Sequence, residues 1–216
     1  MEEGKQLGIQ FEGKDVYVKD VFTEISSYYD EMNDIMSLGM IKRWHKFMMK
    51  KLGDLKDKKC LDVGTGTGEI AFMMASRNAI VTGLDITPAM LELANKKITQ
   101  HNYPKVEFVV GDALDIQIED GTFDVVTSGY MLRNVTDIPK AVSEMYRVLK
   151  VGGKCAVAEL ARPTNCLIRP FYNLYMNHII PHYGRKYDKG EVIDGRQPAY
   201  DWLTASIEGF PYGEDM

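Results

Sequence analysis

Three glycines at alternate positions, Gly64, Gly66 and Gly68, separate a short apolar run from a helical segment in Lys59–Ile70, KCLDVGTGTGEI. Cys60, Leu61 and Val63 lie between a lysine-rich segment and the glycines, as a buried parallel strand requires. Glu69–Ser76 (EIAFMMAS) then has helical character. A strand that feeds a helix through such a turn points backbone N–H groups at the helix start, and glycine lets a ligand come close to the backbone. The dinucleotide fingerprint is G-x-G-x-x-G. Here the spacing is G-x-G-x-G behind an acidic residue, Asp62, which disfavours a nicotinamide oxidoreductase.

Alternation of strand and helix continues downstream. Strands are expected at Ala79–Leu84, Val106–Val110, Phe123–Thr127 and Lys154–Leu160, and helices at Pro88–His101 and Ile138–Leu149. Thr87 and Pro88 are a natural N-cap and first residue. This order implies βαβ units and a mostly parallel sheet. Upstream, apolar residues at helical spacing from Val16 to Met36 predict a helix and a bend, followed by a basic amphipathic helix over Ile41–Leu52. That second helix suits packing on the sheet, with contact to an anionic membrane surface as the alternative. Residues 1–15 carry no strong pattern, and the region after Arg162 is rich in proline and tyrosine, with helices expected at Leu167–Ile180 and Ala199–Gly209.

A chain of 216 residues with 45% hydrophobic and 26% charged content has the make-up of an ordinary globular α/β protein. Its net charge of −5 argues against a nucleic-acid surface. Three cysteines, with Cys60 and Cys155 in expected buried strands, suit free thiols in a reducing compartment. The polar start and the lack of a long apolar run point to a cytoplasmic protein.

Ligands of open parallel sheets bind beyond the carboxyl ends of the strands. Asp85 falls about 20 residues after Gly64, where an acidic group reaches ribose hydroxyls. Asp112 can accept from an adenine amino group while the Ala113 N–H reaches a ring nitrogen. Ser128-Gly129-Tyr130 closes the fourth strand. Each aspartate alone is equally explained as a solvated turn; four successive strand ends together are not.

The motif D-x-G-x-G-x-G resembles that of the Rossmann-like, class I S-adenosylmethionine (SAM) methyltransferases. VFTEISSYYDEMNDIMSLGMIKRWHK, LDVGTGTGEIA, GLDITPAML, GDAL, LRNVTD, EMYRVLKVGG and SIEGFP resemble the ubiquinone/menaquinone biosynthesis C-methyltransferases. That resemblance implies methylation of a ring carbon of a prenylated, demethylmenaquinol-like quinol, with SAM as cofactor. It implies one domain: a helical lid over 1–53, a Rossmann-like core over 54–160 and a helical substrate side over 161–216. Asp62, Gly64, Thr65, Gly66, Thr67, Asp85, Ile86, Asp112, Ala113 and Ser128 are the expected cofactor contacts. The family's serine position falls on Gly129, with Ser128 one place earlier.

A carbon nucleophile on a quinol needs the neighbouring hydroxyl to lose its proton, against a phenol pKa of about 10. Arg133 is expected to stabilise the oxyanion, Asn134 to orient the ring oxygen, and Tyr29 to relay a proton or close over the cofactor. A surface ion pair with Asp137 is the ordinary alternative for Arg133. His178 and His182 flank Pro181 without a third ligand, so no metal is expected; His182 remains an alternative base. Tyr172, Tyr175 and Met176 suit either an isoprenoid pocket or core packing. The expected partner is a lipophilic quinol, with no nucleic acid; peripheral membrane contact and a homodimer stay open. The sheet expected from the family has seven strands but only five are legible. The last two are therefore expected to be missing, with Lys154–Leu160 at an edge. Gly184–Gln197 is longer and more charged than the family connector. Another small-molecule acceptor, or an inactive SAM-binding fragment, are the alternative functions.

Overall fold

Cys60, Leu61 and Val63 have no exposed surface, which fixes the strand β1 (Lys59–Val63) at the centre of the sheet. Around it a computed structural model describes residues 13–37, 39–101, 103–160, 163, 165–180, 182, 202, 205–207 and 210. The chain runs α1 (Lys14–Ile25), a short 3-10 turn, α2 (Tyr29–Met36), α3 (Met40–Leu52), β1, α4 (Glu69–Ala75), β2 (Ile80–Asp85) and α5 (Pro88–His101). It continues with β3 (Val106–Val110), β4 (Phe123–Gly129), α6 (Ile138–Arg147), β5 (Leu149–Ala158) and α7 (Arg169–Leu174), which widens into a π-helical turn over Tyr175–Ile179.

The five strands pair in the order β3-β2-β1-β4-β5, all parallel. Side chains alternate across β1, so Cys60 faces one layer and Leu61 and Val63 the other. Cys60, Val81, Val106 and Val125 meet Met48, Met49 and Leu52 of α3 and Ile70, Ala71 and Met74 of α4. On the opposite face Leu61, Val63, Leu84 and Val126 pack against Met145 of α6 and Val148. Each such buried aliphatic side chain contributes about 1.5–3 kcal/mol. Asp62 shares the α3–α4 face with Cys60, a carboxylate set into an apolar layer.

The expected α/β class and strand count agree with this sheet. Val106–Val110 and Pro88–His101 stand at their expected limits. The last strand begins five residues earlier than read, because Leu149 already pairs with Phe123 before the register shifts and Val125 meets Lys154. β5 is the outer strand among the described residues, and there Cys155 is exposed rather than buried. Burial raises the pKa of Cys60 to about 12, which leaves it an inert thiol. Residues 1–12, Gly184–Gln197 and most of the helix expected at Ala199–Gly209 lie outside the described residues.

The N-terminal helices sit over the carboxyl ends of the strands. Tyr17, Val18, Val21 and Ile25 of α1 form one cluster with Met32, Met90 and Trp202. Buried Lys14 donates to the carbonyls of Val135 (2.7 Å) and Arg133 (3.3 Å), pinning α1 to the loop after β4. Desolvation lowers its pKa to about 8.

Candidate functional site

β1 and β2 end side by side, and the glycine turn crosses between them. The amides of Gly64 and Thr65 both donate to the Leu84 carbonyl, at 2.8 and 3.0 Å. Gly66 N–H donates to Asp85 Oδ2 at 2.8 Å, and Gly68 N–H to the Thr65 carbonyl at 2.9 Å. This corrects one expectation: these four amides serve the turn itself, so the loop offers a ligand space more than donors. Gly64 (φ +69) has a packing reason of its own: an added Cβ would stand 2.4 Å from Met131 Cγ, so the Met131 side chain fills that spot.

Two cavities open around this turn. The first lies over the tips of β2, β3 and β4, walled by Val18, Phe22 and Met90 and edged by Asp85, Asp112 and Asn134. Ile86, Ala113 and Met131 also line it. The second, smaller one lies on the α3–α4 side, lined by Asp62, Thr65, Thr67, Glu69 and His45. Tyr29, Gly64, Gly66, Gly129 and Tyr130 border both. An apolar slot with carboxylates at successive strand tips has the form of a nucleoside site.

Asp85 Oδ1 accepts from Thr87 N–H at 2.9 Å as its other oxygen takes Gly66. Burial raises its pKa; those amides pull the other way. Asp112 Oδ1 accepts from Leu114 N–H at 2.8 Å, which fixes the carboxylate at the cavity edge. Asp62 accepts from the hydroxyls of Thr65 (2.7 Å) and Thr127 (2.8 Å), yet desolvation still raises its pKa to about 6. Thr67 donates to Asp30 Oδ1 at 2.6 Å, and Asp30 also pairs with Lys97, so α2 is tied to the glycine turn. Tyr29 sits beside that contact. Burial of its hydroxyl raises the pKa, so near neutrality the phenol keeps its proton and can donate a hydrogen bond.

Ser128 does not border either cavity: its side chain is wholly buried, and its neighbours Gly129 and Tyr130 reach the site instead. Arg133 is also outside both linings. It is buried and its Nη1 pairs with Glu159, just beyond β5, while its backbone N–H lies 3.3 Å from Glu159 Oε2. Asp137, the expected partner, instead caps α6 by accepting from Lys140 N–H at 2.9 Å. Asn134 Nδ2 donates to the Tyr130 carbonyl at 3.3 Å. Its Oδ1 and Arg133 Nε have no hydrogen-bond partner among the described residues. Glu159, Lys14 and His45 were not identified from the sequence. The only signal for Glu159 was an acidic residue at a strand tip.

Residues 10–216 match the ubiE/COQ5 methyltransferase family. The chain belongs to that family. Similar curated proteins include the demethylmenaquinone methyltransferase of Lactococcus lactis, 36% identical over 90% of this chain and 76% of its own length. Another is the ubiquinone/menaquinone biosynthesis C-methyltransferase UbiE of Ruegeria, 37% identical over 90% of this chain and 76% of its own. A solved structure from Methanococcus maripaludis shares the fold at 23% identity, with a TM-score of 0.59 over 84% of each chain. Geranyl diphosphate C-methyltransferase of Streptomyces coelicolor was solved with S-adenosyl-L-homocysteine. It is 25% identical and matches with a TM-score of 0.51 over 54% of this chain and 44% of its own. Membership of the family makes the chain a SAM-dependent methyltransferase.

Proposed function

We propose that this protein methylates a ring carbon of a demethylmenaquinol-like prenylated quinol with SAM. The observation that carries the reading is the family match together with the Asp85–Asp112 crevice at the tips of β2 and β3. SAM supplies a methyl group on a sulfonium for in-line displacement.

Asp85 holds the ribose hydroxyls, and Asp112 and Ala113 hold the adenine edge against the apolar walls of the first cavity. Gly64, Thr65, Gly66 and Ile86 shape the floor, and Asp62 and Thr67 serve the second cavity. Helices α1 and α2 act as a lid that excludes water. The quinol ring lies near Tyr29 and Asn134 at the cavity edge, with Arg133 buried behind the lining. Asn134 keeps an unpartnered Oδ1 and Arg133 an unpartnered Nε for the ring oxygens. Arg133 stabilises the developing oxyanion through groups not spent on Glu159, and Glu159 at that ion pair accepts the proton. Tyr29 orients and relays.

A prenylated acceptor lives in a bilayer, and the surface supports contact with one. Phe47 and Trp44 are exposed beside Lys42, Arg43, Lys46, Lys50 and Lys51 on α3, and Leu167, Ile168, Phe171 and Leu174 are exposed around α7. No helix among the described residues is long and apolar enough to cross a membrane. Flotation with anionic phospholipid vesicles should carry the protein upward, and Leu167→Ser with Phe171→Ser should reduce this.

The direct test is incubation with methyl-labelled SAM and a short-chain demethylmenaquinol. Label on a ring carbon supports the reading. Label on oxygen, or turnover only with an unrelated acceptor, overturns the quinol assignment.

A further inference from the structure

Lys14 carries a charge in a place where the packing does not need one. It is 1% exposed, and the other buried residues of α1, Tyr17, Val18, Val21 and Ile25, are apolar and already dock the helix on Met32, Met90 and Trp202. A buried ammonium is costly unless its partners are well placed, and an apolar side chain of similar volume would seat the helix without that cost.

Its partners show what the lysine adds. Nζ donates to the Val135 carbonyl at 2.7 Å and to the Arg133 carbonyl at 3.3 Å, and it stands 6.0 Å from the centre of the Trp202 ring. With a pKa of about 8 the group stays charged near neutrality. The two carbonyls flank Asn134. Leu132–Asn134 is a single 3-10 turn, closed by Asn134 N–H donating to the Met131 carbonyl at 2.8 Å, and the chain is extended again at Val135. Hydrogen-bond geometry in so short a turn is poor, so contacts from outside decide where it stands. Asn134 borders the first cavity, and its Oδ1 has no partner among the described residues. Val18 and Phe22 of α1 line the same cavity. One side chain thus joins the helix over the strand tips to the turn that presents Asn134.

We propose that Lys14 is a positioning residue for methyl transfer: it sets Asn134 through the carbonyls on either side of it, so that seating α1 and aligning Asn134 are one event. The inference rests on the reading above and adds to it a residue outside both cavity linings.

The test compares turnover of methyl-labelled SAM and a short-chain demethylmenaquinol with calorimetric binding of S-adenosylhomocysteine. Lys14→Met removes the charge and keeps the bulk. It should lower kcat about 10- to 100-fold, the range for a misplaced group, and leave S-adenosylhomocysteine affinity within about threefold. In an Asn134→Ala background the same substitution should cost less than about threefold, because the group that Lys14 aligns is gone. An unchanged kcat in Lys14→Met, losses that multiply in the double variant, or an affinity loss as large as the loss in kcat would overturn the assignment. Deuterium exchange on the wild-type protein tests the coupling should Lys14→Met fail to fold. S-adenosylhomocysteine should slow exchange in residues 14–25 and 131–135 together; slowing in α1 with 131–135 unchanged would overturn it. Both segments slowed in a protein that turns over no quinol supports the coupling and overturns the acceptor assignment alone. No slowing anywhere overturns the cofactor reading itself.

Discussion

Asp62 shows how one residue carries a cost that the fold accepts. Its carboxyl sits on the α3–α4 face of the sheet with a pKa of about 6, against an unfolded value near 4. The native state therefore holds the proton more tightly, so this group's contribution to stability is full below about pH 4 and is lost as pH rises through 6. A shift of about 2 units corresponds to about 3 kcal/mol. Asp62→Asn should remove that slope: urea unfolding at pH 4.5 and pH 7.5 should show the variant gaining on wild type at the higher pH. Equal differences at both values would contradict the assigned burial cost. Arg133 and Glu159 form a buried ion pair. Arg133→Gln alone leaves Glu159 unpaired and should cost about 3–5 kcal/mol, whereas Arg133→Gln with Glu159→Gln should recover most of it. Methyl transfer should stay low in both, which separates a catalytic role from a structural one; recovery of turnover in the double variant would rule the catalytic role out.

At the scale of elements, the strands and helices were legible because their periodicities are local. Val106–Val110 and Pro88–His101 carry their own boundaries, one in a compact apolar run and the other in Thr87-Pro88. β5 was read short because its first pairing, Leu149 with Phe123, precedes an irregularity set by Gly152 and Gly153 that no local pattern announces. Contacts across long stretches of chain were not legible at all. Lys14 reaches Val135 and Arg133 reaches Glu159 only once the sheet order is known. The strand-tip aspartates were legible, since topology alone brings them to the cleft; the use of the loop amides within the turn was not. Gly68 tests the turn. With φ +86, an added Cβ would stand 2.7 Å from Phe108 Cζ and 2.8 Å from Phe72 Cε2. Gly68→Ala should cost about 2 kcal/mol or more, from strain and overpacking together. A denaturation midpoint like that of wild type would contradict the packing described.

Across the whole molecule, the parallel sheet supplies the platform, α1 and α2 cover its tips, and the family match shows a methyltransferase. Fold alone does not assign a reaction. What unites the site is the claim that a nucleoside lies against Asp85 with its sulfonium toward the acceptor. Ligand binding to the native state alone stabilises by about 2.7 kcal/mol at 100 times Kd, about 5–10 °C in Tm for a protein of this size. Thermal melting with saturating S-adenosylhomocysteine is thus the most direct test. The account predicts a shift of that order for wild type and a small fraction of it for Asp85→Asn. No shift in wild type, or an undiminished one in Asp85→Asn, would contradict it.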